Sequence, residues 1–179
     1  DKWILSRLEN TTSKVTKSLD EFYTAPATIV IEKFVNDYST WYIRCSRDRV
    51  GVGATDTKDK NSAYQTMYHC LVTLTKLLAP FMPYISANIY KNLTGEESVH
   101  LADWPKANKS LLHQTLEENM KKTREVVEKI HAQRKQKELK VRQPLAKVTI
   151  AGKSFGKPNL HQIILEETNI KILEFTNKG

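Results

Sequence analysis

Two groups of side chains combine charge, aromatic surface and spacing in a way that could bind a polyanion. The first is Tyr38-Ser39-Thr40-Trp41-Tyr42-Ile43-Arg44-Cys45-Ser46-Arg47-Asp48-Arg49. Trp41 and Cys45 continue an apolar stripe, whereas Arg44 and Arg47 are three apart and share an outward face. Arg49 stands at the mouth of the loop that follows. A guanidinium can fork onto a phosphate or stack on an unpaired base, and Tyr42 supplies an aromatic neighbour for that chemistry. The same arginines also suit a helix C-terminus through its dipole alone, and spacing does not separate the two readings. The second group is His131 to Leu145 (HAQRKQKELKVRQPL). Arg134, Lys135, Lys137, Lys140 and Arg142 run off a helix into an extended segment that ends on Pro144. With few acidic partners, they are the strongest electrostatic candidate for a nucleic-acid backbone.

The charge distribution points the same way. The 179-residue chain carries a net charge of +8. Residues 1–120 are balanced, with 14 Lys and Arg against 14 Asp and Glu. Residues 121–157 carry 12 Lys and Arg against Glu125, Glu128 and Glu138. A local surplus of this kind suits a polyanion, because each Lys or Arg near a phosphate releases condensed counterions. A solvated helix face is the other account of such a run.

Other chemistry finds little support. No GxSxG is present, and of the two cysteines only Cys70 has a nearby histidine, His69, which points elsewhere from a helix. His69, His100, His113, His131 and His161 are scattered, with no HExxH and no paired ligand spacing, so no metal site is expected. Glu96-Glu97, Glu117-Glu118 and Glu166-Glu167 read as solvated carboxylates rather than acid–base pairs. No GxxxxGK[ST] loop exists, and Gly51-Val52-Gly53 lacks the preceding strand and third glycine of a dinucleotide site. No catalytic residue and no cofactor site are expected in these residues. Cys45 and Cys70, far apart, read as reduced thiols of an intracellular protein. No run of about 18 apolar residues occurs and the first residues lack the order of a signal peptide, so no membrane partner is expected.

The elements that must hold these residues follow from apolar periodicity. Ile4, Leu8, Val15, Leu19 and Phe22 predict a first helix over 1–22, with Thr11 and Thr12 filling its gap. Thr24 and Pro26 open a second helix that runs to about Arg47, its stripe made of Ala27, Val30, Ile31, Phe34, Tyr38, Trp41 and Cys45. Arg49–Lys60 reads as a loop. A third helix covers about Asp59–Leu78, the chain bends through Pro80 and Pro83, and a fourth helix ends at Thr94-Gly95. Ser98–Leu101 is a short extended piece. A long helix spans about Ser110 to Leu139, with Leu112, Leu116, Met120, Val127, Ile130 and Arg134 marking its inner side. Beyond Pro144 the period changes to strand over 147–151, helix over 158–168 and strand over 170–175. The fold class is therefore mainly α, an antiparallel helical bundle over 1–143 followed by a small α/β appendage over 144–179. Trp3, Trp41 and Trp104 sit near apolar stripes or a proline turn and read as packing residues.

Six stretches occur in one order: DKWILSRL (1–8), FVNDYSTWYIRCSRDR (34–49), LLAPFMPYISANIY (77–90), SVHLADWP (98–105), KVRQPL (140–145) and LEETNIKILEF (165–175). In order and wording they resemble the C-terminal region of class I isoleucyl-tRNA synthetases, over essentially the whole chain. Valyl and leucyl enzymes share a comparable Leu-Ala-Pro-Phe-Met-Pro segment, while KVRQPL and LEETNIKILEF favour the isoleucyl branch. The resemblance implies a domain that holds the tRNA anticodon stem and loop. It implies a parent cytoplasmic enzyme that joins isoleucine to its tRNA with ATP and Mg and edits mischarged valine in another domain. The remaining domains of that enzyme would be partners of this one. The His-x-Gly-His and Lys-Met-Ser-Lys-Ser signatures are absent, since Ser13–Ser18 (SKVTKS) lies inside an amphipathic helix. Residues expected to contact tRNA are Tyr42, Arg44, Arg47, Arg49, Arg134, Lys135, Lys137, Lys140 and Arg142. The alternatives are the same domain of a valyl or leucyl enzyme, or a helical protein-interaction scaffold.

Overall fold

The computed structural model describes residues 1–176. These form a mainly helical protein with one small parallel sheet, and they cluster into two compact units, Asp1–His113 and the residues from Gln114 onward.

In the first unit, α1 (Lys2–Asp20) buries Ile4, Leu8 and Val15 completely. Threonines bridge the gap in its apolar stripe, since Thr11 and Thr12 are buried as well. The helix stops two residues short of the expected end. Phe22 adopts a left-handed backbone with φ 60° and is 91% exposed, so it leaves the stripe instead of extending it. A β-carbon residue pays for that conformation, which marks a sharp turn rather than a helix end that frays. α2 (Thr24–Asn36) packs on α1 through Ala27, Ile31 and Phe34.

The second helix does not continue as one α-helix to Arg47. Asp37–Tyr42 form a π-helical turn in which the Ile43 amide donates to the Tyr38 carbonyl, five residues back. The local cause is visible in the side chains. Ser39 Oγ and Thr40 Oγ1 donate to the carbonyls of Val35 and Asn36, each at 2.7 Å, and so compete with the regular ladder. One-turn helices α3 (Ile43–Cys45) and α4 (Arg47–Val50) follow, broken at Ser46.

α5 (Thr57–Leu78) starts under an Asp56 cap, whose carboxylate accepts from the Lys58 and Asp59 amides. Its Ala63, Cys70, Leu74 and Leu77 are buried. Pro83 occupies the first turn of α6 (Pro83–Thr94), and Gly95, at φ 75°, closes it in the left-handed conformation that glycine supplies. Ser98–Leu101 is not extended: Val99–Leu101 form a 3-10 turn capped by Ser98. The polar residues of α1 hold what comes next. Trp104 Nε1 donates to Thr16 Oγ1 at 2.8 Å, the Asn108 amide to Glu9 at 2.6 Å, and the His113 amide to Ser6 Oγ at 2.9 Å. Hydrogen bonding accounts for the burial of Ser6 and Glu9 on a helix that otherwise buries apolar groups.

The second unit contains α7 (Gln114–Gln136), β1 (Leu145–Ala151), α8 (Pro158–Thr168) and β2 (Ile170–Thr176). α7 is shorter than expected at both ends, and Leu112 lies before it and is exposed. Its buried positions Met120, Thr123, Val127, Ile130 and Arg134 recur by threes and fours, and the helix packs on α8. β1 and β2 pair in parallel, in the register Leu145↔Ile170 through Ala151↔Thr176, with α8 as the crossover. α7 therefore clusters with the strand–helix–strand segment that follows it. No helix among the described residues is long and apolar enough to cross a membrane.

Candidate nucleic-acid interface

The residues expected to touch RNA separate into exposed and structural groups. In the first unit Tyr42 is structural. It is 5% exposed, stacks on Tyr38, which in turn stacks on Phe34, and donates to Asp1 Oδ1 at 2.6 Å. The i, i+4 spacing of these three rings lines them along the inside of the π-helical segment. Burial pushes the Tyr42 hydroxyl above the ordinary tyrosine value, so it remains a donor.

Arg49 is structural too. Its Nε and Nη2 donate to the Asp59 carboxylate, both at 2.7 Å, while Nη1 and Nη2 donate to Asp1 at 2.7 and 2.9 Å. Two planar carboxylates thus occupy two edges of one guanidinium, a geometry that lysine could not supply. Hydrogen bonding to Asp59 raises the Arg49 pKa further, and the same bond holds the Asp59 carboxyl below its usual value. A cation neutralised twice over is a poor phosphate ligand, which removes Arg49 from the expected contacts. The two aspartates carry no signal in local spacing, since one is 48 and the other 10 residues from Arg49.

Arg44 and Arg47 are exposed. They lie on α3 and α4, separated by the break at Ser46, so they do not share one continuous helical face as the sequence suggests. The Arg44 guanidinium lies over the Trp41 ring, 5.3 Å from its centroid. Trp41 is 6% exposed, so its ring serves as a fixed backing plate for the cation rather than as a platform for a base.

In the second unit Arg134 is the correction. It is 2% exposed, and its Nη1 and Nη2 donate to main-chain carbonyls of Lys140, Gln143, Thr168 and Asn169, at 2.8 to 3.2 Å. The periodicity that put it on the inner side of α7 describes its position. Its basic type misplaced it among the phosphate contacts.

Lys135, Lys137, Lys140 and Arg142 are all exposed and form no ion pair with another described residue. Lys135 lies in the last turn of α7, and the other three line the segment that leads to β1. The exposed side of α7 adds Lys121, Lys122 and Lys129, which sequence reading left out. The buried heptad of that helix was the signal that could have found them, because it fixes which residues point outward. Lys147, by contrast, is paired with Glu174 at 2.5 Å across the sheet. The second unit thus presents four exposed cations at the end of α7 and in the turn after it, an arrangement suited to successive phosphates, while the earlier part of the helix interleaves its lysines with the exposed Glu118, Glu125 and Glu128. Among the described residues no group of histidine, cysteine or carboxylate side chains could hold a metal ion.

Comparison with known proteins places the amino-acid sequence in a family. Residues 1–150 match the family model described as the anticodon-binding domain of tRNA ligase, a span that takes in α7 and most of β1. The chain is 40% identical to isoleucine–tRNA ligase of Bacillus thuringiensis (strain Al Hakam) over 174 residues, covering 96% of the chain. It is 40% identical to isoleucine–tRNA ligase of Dehalococcoides mccartyi over 189 residues, covering 100% of the chain. It is also 40% identical to isoleucine–tRNA ligase of Clostridium acetobutylicum over 182 residues, covering 98%. It spans 17 to 18% of the length of these relatives. The two-carboxylate clasp on Arg49, the buried aromatic row and the cationic helix end are therefore features of a chain that belongs to the tRNA-ligase anticodon-binding domain family.

Proposed function

We propose that this domain holds the anticodon stem and loop of an isoleucine-acceptor tRNA, as part of a cytoplasmic isoleucine–tRNA ligase. Lys135, Lys137, Lys140 and Arg142 follow backbone phosphates, and Arg44 and Arg47 face the loop. The remaining domains of the ligase are its partners. They carry out the ATP- and Mg-dependent joining of isoleucine to tRNA and the editing that one methylene of discrimination, about 1–3 kcal/mol, makes necessary. The domain itself supplies no reacting group and works by position, charge and shape.

The observation that carries this reading is the exposed set Lys135, Lys137, Lys140 and Arg142 on a helix end and the turn after it, with no ion pair to another described residue. The relatives named isoleucine–tRNA ligase support an isoleucine-acceptor tRNA as that RNA. The test compares binding of an isoleucine-acceptor tRNA and an anticodon-substituted copy, across salt, by the intact protein and by a variant with all four residues changed to Ala. The expected result is a preference for the cognate anticodon and a loss of roughly 3 in the log–log salt slope in the variant, about 0.7–0.9 per phosphate contact. An unchanged slope, or indifference to the anticodon, overturns it.

A further inference from the structure

The turn between α7 and β1 is held by one residue through both of its ends. Just past the end of α7, Glu138 takes the left-handed conformation, φ 55°, and the Leu139 amide reaches back to the Arg134 carbonyl at 2.9 Å. The Arg134 side chain then closes the same turn from beneath. Its Nη1 donates to the Lys140 and Gln143 carbonyls at 3.0 and 3.1 Å, and its Nη2 to the Thr168 and Asn169 carbonyls at 2.8 and 3.2 Å. One cation is thus shared between the basic turn and the C-terminal end of α8, where the helix dipole also favours positive charge. A second tether lies alongside. Asn169, left-handed at φ 51°, donates its Nδ2 to the Val141 carbonyl at 3.0 Å, and its own carbonyl accepts the Leu145 amide at 3.1 Å.

The carbonyls of residues 140, 141 and 143 are therefore all turned inward and engaged, while the side chains of Lys137, Lys140 and Arg142 are exposed. A turn of this composition has little apolar anchorage: Val141 is 45% exposed and Leu139 only partly buried. Left to itself, such a segment would sample many conformations, and ordering it on RNA would cost entropy at each binding event.

We propose that Arg134 is the positioning residue of the RNA-binding surface: it touches no phosphate and instead fixes the 137–143 turn so that Lys137, Lys140 and Arg142 meet phosphates already arranged. This rests on the reading of those three residues as tRNA contacts. The device converts a buried cation into the preorganisation of exposed ones, and Asn169 assists it.

The test uses the intact protein, an isoleucine-acceptor tRNA transcript, amide hydrogen exchange and salt-dependent affinity. Arg134→Met should speed exchange at Leu139, Gln143 and Leu145 and weaken tRNA binding about tenfold. In a Lys140→Ala, Arg142→Ala background the same change should cost less than about twofold, because two of the three groups it positions are gone. Asn169→Gly keeps the left-handed backbone and removes only the tether to Val141. It should show the same pattern more weakly, with exchange in α8 unaltered, and it serves if Arg134→Met unfolds the second unit. Unchanged exchange in both variants overturns the clamp and leaves the RNA reading standing. A tenfold loss that persists in the Lys140→Ala, Arg142→Ala background overturns the positioning role. Wild-type affinity and salt slope in that background would end the RNA reading of the turn and the positioning role with it, and faster exchange would then mark Arg134 as a purely structural clamp.

Discussion

Arg49 and Asp59 face one another as parallel forks, Nε to Oδ2 and Nη2 to Oδ1, both at 2.7 Å. Asp1 takes the adjoining edge of the same guanidinium. Arg49→Met should therefore lower the urea midpoint of the protein, because it leaves two carboxylates facing each other without their cation. Its tRNA affinity and salt slope, compared under conditions where the variant is folded, should match those of the wild type. A fall in salt slope near one would return Arg49 to the RNA contacts.

The same pair makes a pH prediction with a definite sign. The hydrogen bond from Arg49 depresses the Asp59 carboxyl against an opposing effect of burial. A depressed folded value means that the pair's stability is complete above the ordinary carboxylate pKa of about 3.9 and drains away as pH falls through the lower folded value. Urea midpoints measured from pH 6 downward should fall in the acid limb for the wild type. In Asp59→Asn that limb should be shallower and the midpoint at pH 6 already reduced. Equal limbs would show that Asp59 is not titrating against Arg49.

Cys70 offers a chemical check on the core of the first unit. It is fully buried on α5, and burial pushes its thiol up to about 12. Since the thiolate is the nucleophile, a soluble thiol reagent at pH 8 should modify Cys70 only as fast as the domain opens. Cys45 is partly exposed and should react first. Two equally fast thiols in the native protein would contradict the packing described for α5.

Glu138 carries two opposing roles. It occupies the left-handed end of α7, which suits glycine, and it places a carboxylate within the most basic segment. Glu138→Gly should raise the stability of the second unit by about 0.5–1 kcal/mol, the relief of the backbone cost less the entropy that glycine adds to the unfolded chain. It should also tighten tRNA binding at low salt, because one repulsive charge disappears. Thermal unfolding and a salt titration report the two effects separately.

Much of this architecture was legible in residue spacing. The apolar steps of α1, α2 and α5, the Pro83 start and Gly95 end of α6, and the strand–helix–strand ending all follow from local rules about period and turns. What was illegible depends on partners distant in sequence. The π-helical segment arises where Ser39 and Thr40 bond back to the chain beside a row of stacked rings, and a simple 3.6-residue stripe runs straight through it. Charge type alone grouped Arg49 and Arg134 with the surface cations. Their acceptors at Asp59, Asp1, Thr168 and Asn169 are brought to them only by the tertiary fold. Lys135, Lys137, Lys140 and Arg142 are exposed, which is where charge type alone is enough to put them.

The reach of Arg134 also sets an order of events while the polypeptide is being made. Its last acceptor lies 35 residues downstream, and β1 has no strand to pair with until β2 has been synthesised and α8 has formed between them. A nascent chain ending near Pro144 would already display the whole cationic run with no means of holding its shape. Emergence of β2 from the ribosome is thus the moment at which that run passes from a loose polycation, attractive to any RNA nearby, to a surface of defined form.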